Sequence, residues 1–239
     1  MQALSKQEVA QNVSALQEQI CQAAAAAGRD PAQVRLMAVT KTVDPELVNA
    51  AIDAGITLLG ENKAQELCAK YDSYHKDGVE IHFIGHLQTN KVRQIVDKVQ
   101  MIESVDSLPL AEEINKRCAA LNKQMPILIE VNIGREESKS GVLPEDLPAL
   151  LEEISKLPAV SVRGLMAIPP VCENNEQVSQ YFYQIQQLFI DIKQKKYDNI
   201  NMEILSMGMS GDYQTAIAYG SNVVRIGTAM FGQRNYKRS

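Results

Sequence analysis

One lysine stands at the end of an apolar run, where its amine could attack a carbonyl group. In the segment RLMAVTKTVDP, side chains alternate along a strand, so Met37, Val39 and Lys41 share one face. If that face points into a core, burial disfavours the charged ammonium of Lys41 and lowers its pKa, which makes the neutral amine available. A lysine that reaches solvent from the strand end has the same sequence pattern. The residue types alone therefore leave both interpretations of Lys41 open.

Two short segments near the C-terminal end could bind a phosphate group. Ser210 and Gly211 stand where a loop enters a helix predicted to end near Tyr219, and a helix start offers free backbone N–H groups. Gly227 and Thr228 end the following apolar run. Gly227 would let a ligand come close to the backbone, and Thr228 adds one hydroxyl. The alternative is that Ser210 is a plain helix cap and the glycines are turns.

Arg225 lies on the apolar run that precedes Gly227 and shares a face with Val223. If this face is buried, the guanidinium carries five donors and a permanent charge, and it needs an acceptor. A pyridine nitrogen of a ligand is one candidate, and the carboxylate of Glu203 is the structural alternative.

The elements that must position these groups are short strands separated by helices. The chain opens with a helix, indicated by capping-box spacing of Ser5 and Glu8 and by a stop at Gly28. Eight strand candidates follow, at Leu36–Thr40, Ile56–Gly60, Ile81–Gly85, Met101–Ser104, Ile127–Asn132, Val160–Met166, Met202–Ser206 and Val223–Gly227.

Strands joined through helices pair in parallel, because a parallel neighbour cannot be reached by a tight turn. Eight such units in 239 residues predict an α/β fold with a single closed (β/α)8 barrel and an extra N-terminal helix. A doubly wound open sheet is the alternative. No linker or low-complexity tract divides residues 1–239, so we expect one domain.

Polar residues gather at or just after the C-terminal ends of the predicted strands, where barrel active sites are built. The loops after the seventh and eighth strands, which carry Ser210 and Thr228, are the usual phosphate site of this fold. The residues at strand ends are Lys41, Glu61, Asn62, His86, Asn90, Asp106, Asn132, Ser206, Ser210 and Thr228.

Composition argues against several other classes of protein. The chain has 24 Lys and Arg against 29 Asp and Glu, no Trp and 12 Tyr and Phe (8 + 4), which disfavours nucleic-acid binding by charge or stacking. It has no apolar stretch long enough for a membrane span and no apolar signal-peptide core, so we expect a cytoplasmic protein. The run Arg234, Lys237 and Arg238 is interpreted as a solvated end.

Metal and disulfide chemistry have little support in the sequence. Cys21, Cys68, Cys118 and Cys172 form no CxxC pair, and we expect all four to be buried as small apolar residues. His82 and His86 are four residues apart on a predicted strand and would share a face, but we expect no metal site. His82 is interpreted as a packed residue and His86 as a polar lining of the barrel mouth.

Taken together, several segments resemble the pyridoxal phosphate homeostasis proteins, from about Leu36 to Gly232. The motifs are LMAVTKT, LLGENKAQE, HFIGHLQTNK, ESVDS, IEVNIGREESKSG, RGLMAIPP, LSMGMSGDY and VVRIGTAMFG. The resemblance implies a barrel like the N-terminal domain of alanine racemase that holds pyridoxal 5′-phosphate (PLP) as a Schiff base.

Carried over by motif, the resemblance makes Lys41 the Schiff-base lysine. It places Asn62 beside the cofactor ring and Arg225 at the pyridine nitrogen, with Ser210, Gly211, Gly227 and Thr228 around the phosphate. Lys63 in GENKAQE, where the family often has another residue, should face the mouth or solvent.

The function implied is participation in vitamin B6 and amino-acid homeostasis without a demonstrated reaction. An arginine at the pyridine nitrogen leaves that atom unprotonated and weakens the cofactor as an electron sink. A two-base racemase also needs a second acid/base, for which His86 and Tyr213 are the apparent substitutes, because Gln233–Ser239 is too short for the racemase β-domain. A racemase and a cofactor-free Schiff-base aldolase are the alternatives, PLP-dependent apoenzymes the candidate partners, and a monomer the expected state.

Overall fold

The computed structural model describes residues 4–172, 174–195 and 197–233. Eight parallel strands close into a barrel in chain order, and β8 returns to pair with β1 through Met37 opposite Arg225. The strands are β1 (Arg35–Val39), β2 (Leu58–Glu61), β3 (Glu80–Phe83), β4 (Met101–Val105), β5 (Met125–Val131), β6 (Val160–Ala167), β7 (Ile200–Ser206) and β8 (Val223–Ile226). The predicted closed barrel is confirmed, and the open sheet is excluded.

The helices lie between the strands, with one helix ahead of the barrel. They are α1 (Lys6–Ala26), α2 (Pro45–Asp53), α3 (Ala64–Lys70), α4 (Val92–Ile95), α5 (Leu108–Ala120), α6 (Leu147–Ile154), α7 (Asn175–Gln194), α8 (Tyr213–Ala218) and α9 (Thr228–Phe231). The predicted capping box is present, although not every helix has a side-chain cap, since Ser107 precedes α5 without one. Ser5 and Glu8 form the capping box of α1, and the Asp44 side chain accepts the Glu46 amide at the start of α2.

The barrel interior is filled by side chains from alternate strand positions. One interior cluster contains Met37, Val39, Leu58, Ile84 and Val223, and a second contains Met101, Leu128 and Met166. Because the period of a strand is two, the next position toward the mouth on each strand also points inward. This alternation aims Glu103 of β4, Glu130 of β5 and Arg225 of β8 at the interior, whereas Lys41 lies two residues beyond the end of β1.

The expectation that all four cysteines are buried is wrong. Only Cys118 is buried, since Cys21 and Cys68 are exposed and Cys172 is half-buried. The described residues hold no helix that is both long and apolar enough to cross a membrane. The basic run Arg234, Lys237 and Arg238 lies outside the described residues.

Candidate cofactor site at the barrel mouth

The seven predicted site residues come from the ends of four consecutive strands. Asn62 follows β2, Lys41 follows β1, and Arg225 lies within β8. Ser210 and Gly211 belong to the loop after β7, and Gly227 and Thr228 follow β8. Because β7, β8, β1 and β2 are neighbours in the barrel, these segments meet along one side of the mouth.

Lys41 lies in a tight turn, and hydrogen bonds hold the residue on each side of it. The Val43 amide donates to the Thr40 carbonyl at 3.0 Å, so Lys41 and Thr42 are the central residues of a β-turn. Thr42 has a φ of +62°, a conformation that a β-branched residue rarely adopts. Its amide donates to the carboxylate of Glu66 on α3, which stabilises the unusual backbone.

The residue before Lys41 is held by a buried carboxyl group. Thr40 Oγ1 and the Tyr74 hydroxyl both donate to Glu61 Oε1, at 2.6 and 2.7 Å. Burial raises the pKa of Glu61, although the hydrogen bonds from Thr40 and Tyr74 oppose this shift. Lys41 itself is half-buried, so the turn presents a lysine on a fixed backbone at the mouth.

Asn62 offers an amide with unused hydrogen-bonding capacity. Its Oδ1 atom is buried and accepts no hydrogen bond from the part of the chain that the structure describes. Since amide oxygen and nitrogen can exchange by a flip, the buried end of this side chain could donate to or accept from a ligand. Buried polar atoms are normally hydrogen-bonded, so this atom is suited to a hydrogen bond with a bound ligand.

Arg225 is buried in the barrel wall with its acceptors in place. Nη1 donates to Ser206 Oγ at 2.7 Å, and Nη2 donates to the Ala167 carbonyl at 2.8 Å. Burial lowers the pKa of the guanidinium, while the carboxylates of Glu103 and Glu130 act in the opposite direction. The remaining N–H groups are still donors only, which suits a ring nitrogen that accepts a hydrogen bond.

Glu203 is not the counterion of Arg225. Its carboxylate points to the outside of the barrel and pairs with Arg163, because alternate positions of β7 face opposite sides. The alternative in which Glu203 is the acceptor for Arg225 is therefore wrong, and Ser206 accepts one of its hydrogen bonds instead.

The two phosphate-type segments contact one another directly. The Ala229 amide, at the start of α9, donates to Ser210 Oγ at 3.3 Å. The hydroxyl hydrogen of Ser210 is then available for a further acceptor. Gly211 is exposed, with no atom within 4 Å of the place where a Cβ would stand, and Thr228, the first residue of α9, is exposed as well.

The helix that follows this turn starts later than predicted. Asp212 is its N-terminal cap, and α8 begins at Tyr213. Asp212 Oδ1 accepts the Met209 amide at 2.6 Å, which closes the turn that carries Ser210 and Gly211. Ser210 is therefore not the cap of α8, and it contacts the start of α9 instead.

Of the two candidate second bases, Tyr213 faces away from the mouth. It is buried between α8 and α1, where its hydroxyl donates to Gln19 Oε1 at 2.7 Å. His86 is exposed, and its Nδ1 lies 3.9 Å from Asp106 Oδ2. His82 and His86 do not share a strand face, because β3 ends at Phe83. The described residues contain no group of three or more His, Cys, Asp or Glu that could hold a metal ion.

Sequence reasoning missed two interior carboxylates. Glu103 is fully buried, and Glu130 is nearly so. Burial and the neighbouring charge of Asp106 raise the pKa of Glu130 to about 7, against the opposing effect of Arg225. Their signal was available, since each glutamate stands two residues after an apolar interior residue, Met101 or Leu128, within a strand.

The residues present fit a bound PLP molecule on their own chemistry. They offer a lysine on a constrained turn, a buried donor-only guanidinium, a buried amide with a free polar atom, and a serine hydroxyl beside an open glycine. The aldehyde requires an amine, and the ring nitrogen, the phenolic oxygen and the phosphate require hydrogen-bonding groups of these kinds.

Comparison with known proteins gives the family. The family described as "Alanine racemase, N-terminal domain" matches residues 11–235. The curated protein of Aquifex aeolicus that is named pyridoxal phosphate homeostasis protein is 44% identical to this chain, over 95% of this chain and 98% of that protein. The Pseudomonas aeruginosa protein of the same name is 42% identical, over 95% and 96%.

Solved structures agree with this assignment. PipY of Synechococcus elongatus, solved with PLP bound, has a TM-score of 0.82 and 31% identity, over 94% of this chain and 100% of that chain. Alanine racemase of Corynebacterium glutamicum shares the fold, with a TM-score of 0.75 at 15% identity, and this chain covers 64% of it. The chain therefore belongs to the pyridoxal phosphate homeostasis protein family, built on the barrel of the alanine racemase N-terminal domain.

Proposed function

We propose that this protein binds PLP as a Schiff base on Lys41 and serves as a reversible carrier of the cofactor in vitamin B6 and amino-acid homeostasis. The observation that carries the proposal is the convergence of Lys41, Asn62 and Arg225 from three adjacent strands onto one mouth. The PLP-bound structure of PipY and the names of the relatives support the choice of cofactor.

In this proposal each group has one role toward the cofactor. Lys41 supplies the amine, Asn62 lies beside the ring, and Arg225 donates to the ring nitrogen. Ser210, Gly211, Gly227 and Thr228 hold the phosphate through hydroxyl and backbone donors. Bound PLP supplies an electrophilic carbon and a ring that withdraws electrons, and a donor-only arginine at the ring nitrogen keeps that withdrawal weak.

The absence of a reaction of its own is part of the proposal. The position of Tyr213, bonded to Gln19 between two helices, supports it, because this residue cannot act as an acid/base at the mouth. A racemase would exchange the α-proton of an amino acid with solvent, and an aldolase would act on a carbonyl substrate without PLP. Incubation of PLP-loaded protein with alanine in deuterium oxide should leave the α-proton in place; measurable exchange would favour the racemase.

Cofactor attachment is tested by borohydride reduction and mass spectrometry. The purified protein should be yellow, and reduction should fix one PLP on the peptide that contains Lys41. The variant Lys41→Ala should lose the absorption band and the adduct. Lys63→Ala, which changes an exposed lysine two residues past β2, is the matched control and should keep both. A colourless wild-type protein without an adduct would refute the proposal.

Delivery to PLP-dependent apoenzymes is the second part of the proposal. An apoenzyme should regain activity when mixed with the PLP-loaded protein. A phosphatase that destroys free PLP separates direct transfer from release into solution, because it blocks only the latter. We further propose that residues 1–239 act as one domain, in the cytoplasm and as a monomer, which cell fractionation and sedimentation analysis would check.

A further inference from the structure

A chain of hydrogen bonds runs from Arg225 through the inside of the barrel. Ser206 Oγ, which accepts from Arg225 Nη1 at 2.7 Å, lies 2.6 Å from Glu103 Oε2. All three side chains are buried, and they come from β8, β7 and β4. The guanidinium is therefore connected across the barrel to a carboxylate that no motif had singled out.

The chain continues from Glu103 to the opposite end of the barrel. Glu103 Oε1 lies 2.6 Å from His82 Nδ1, and His82 Nε2 lies 3.3 Å from Glu80 Oε2. Glu80 in turn accepts from Arg35 Nη1 at 3.0 Å, at the start of β1. We call the set Arg225, Ser206, Glu103, His82, Glu80 and Arg35 the interior relay.

Chemistry fixes the direction of each bond next to Arg225. An arginine only donates, so Ser206 Oγ must be the acceptor toward Arg225. An ionised carboxylate only accepts, so the Ser206 hydroxyl must donate to Glu103. The serine has no other arrangement that satisfies both neighbours, and its position in turn holds the guanidinium in one orientation.

The charges of the relay alternate along its length. Complete burial acts to raise the pKa of Glu103, yet the hydrogen bond and charge of His82 and the charge of Arg225 leave it below its ordinary value. Burial acts to lower the pKa of His82, yet its bonds to Glu103 and Glu80 leave it raised. His82 first, and then Arg35, hold the pKa of Glu80 down at about 2 against its burial. The carboxylate of Glu103 is thus a charged partner of Arg225, and the Ser206 hydroxyl links the two groups.

We propose that Ser206 and Glu103, supported by His82, are positioning residues that orient Arg225 and balance its charge, so that its free N–H groups are directed at the ring nitrogen of the cofactor. This inference rests on the proposed function, because it assigns a ring-nitrogen role to Arg225. Ser206 and Glu103 act only through Arg225.

A purely structural role is the alternative, since buried ion pairs also occur for packing reasons and removal of one partner is destabilising. The two roles differ in what they change. Loss of positioning alters the electronic state of the bound ring and the affinity for PLP. Loss of structure alters the unfolding of the protein without cofactor.

Four variants separate these roles. Ser206→Ala removes the link between Arg225 and Glu103, and Ser206→Thr keeps the hydroxyl. Glu103→Gln keeps the shape and removes the charge. Ser104→Ala is the matched control, because Ser104 is the residue after Glu103 on the same strand and its buried Oγ has no partner among the described residues.

The measurements are the absorption spectrum of bound PLP, its dissociation constant, and thermal unfolding of the cofactor-free protein. Ser206→Ala should bind PLP about tenfold more weakly, as expected for the loss of one bond to a charged group, and should shift the absorption maximum. Glu103→Gln should shift the absorption maximum, Ser206→Thr should restore the wild-type values, and Ser104→Ala should change neither. If Ser206→Ala does not fold, the comparison of Glu103→Gln with Ser104→Ala gives the answer.

Two results would overturn the inference. One is a Ser206→Ala or Glu103→Gln protein that unfolds at a lower temperature but keeps the wild-type spectrum and affinity. The other is an equal change in Ser104→Ala. In either case the wild-type protein still carries the borohydride-fixed adduct, so the proposed function stands. A wild-type protein without the adduct removes both the proposed function and the inference.

Discussion

Gly85 lies directly against the backbone of Asn62. A Cβ atom at Gly85 would stand 2.1 Å from the Asn62 carbonyl oxygen and 2.7 Å from its Cα, both much too close. The loop after β3 therefore supports the loop after β2, and only a glycine allows them to approach this far. The position of Asn62 therefore depends on a neighbour that has no side chain.

Gly85→Ala should displace Asn62 and weaken PLP binding at least about tenfold, because loss of one well-placed hydrogen bond together with its orientation costs on the order of 1 to 2 kcal/mol. Titration with PLP, followed by absorption, measures this effect. Gly78→Ala is the control. It introduces a Cβ at a φ of +73° with no atom within 4 Å, so it should lower stability and leave PLP affinity unchanged. Equal affinities of Gly85→Ala and wild type would contradict the supporting role.

Thr42→Gly should stabilise the cofactor-free protein slightly and slow the reaction of Lys41. The left-handed backbone of Thr42 costs about 1 to 2 kcal/mol for a residue with a side chain, and glycine removes this cost at an entropic penalty of about 1 kcal/mol. The freed turn then holds Lys41 less firmly. Thermal unfolding and the rate of appearance of the PLP absorption band measure the two effects.

A second variant, Glu66→Gln, separates the effect of the strained Thr42 backbone from that of its hydrogen bond to Glu66. It keeps an acceptor for the Thr42 amide but removes the negative charge that also pairs with Lys70. We expect a smaller change in rate than for Thr42→Gly. A Thr42→Gly protein that captures PLP at the wild-type rate would show that the turn does not position Lys41.

The sequence predicted the barrel well, for a local reason. Alternation along β8, which directs Arg225 inward, depends on a period of two, which needs no knowledge of the partner strands. This period does not extend to Lys41, because Lys41 lies in the turn after β1. Caps such as Ser5 with Glu8 are equally local.

The contacts between distant strands could not be obtained in this way. Ser206 and Glu103 are separated by 103 positions, and only closure of the barrel brings them together. Glu203 is an alternative partner for Arg225 on charge alone, whereas the strand period directs it outward to Arg163. Exposure of Cys21 and Cys68 likewise depends on which helix face meets the barrel.

Glu130→Gln should stabilise the protein at alkaline pH and have little effect at acidic pH. The carboxyl has a pKa raised to about 7 in the folded protein against 4.5 ordinarily, so the folded state holds its proton more tightly. The free-energy cost of ionising the buried Glu130 carboxyl is absent below pH 4.5, grows as the pH rises toward 7, and is constant above pH 7. At 1.36 kcal/mol per pKa unit, the variant should gain about 3 kcal/mol above pH 7.

Urea unfolding at pH 5 and pH 8 measures this gain. Glu137→Gln, which changes an exposed glutamate in the loop after β5, is the matched control and should behave like wild type at both values. A Glu130→Gln protein with the same gain at pH 5 and pH 8 would show that packing, rather than ionisation, is responsible.

Burial acts to lower the pKa of His82, but the hydrogen bonds and charges of Glu103 and Glu80 raise it above the ordinary 6.5, so His82 should remain protonated above that pH. For a histidine whose pKa is raised on folding, the stabilisation is complete below pH 6.5 and is lost as the pH rises through the folded value.

Nitrogen-detected NMR of the three histidines follows this titration directly, and His82→Gln assigns the signal. Glu103→Gln should move the His82 titration to lower pH, since it removes the facing charge. Because Glu130 titrates over the interval up to about 7, the associated fall in unfolding free energy is best measured in the Glu130→Gln background, over the pH range above 6.5. A His82 signal that titrates near 6.5 in wild type and Glu103→Gln alike would show that the interior relay carries no charge at this point.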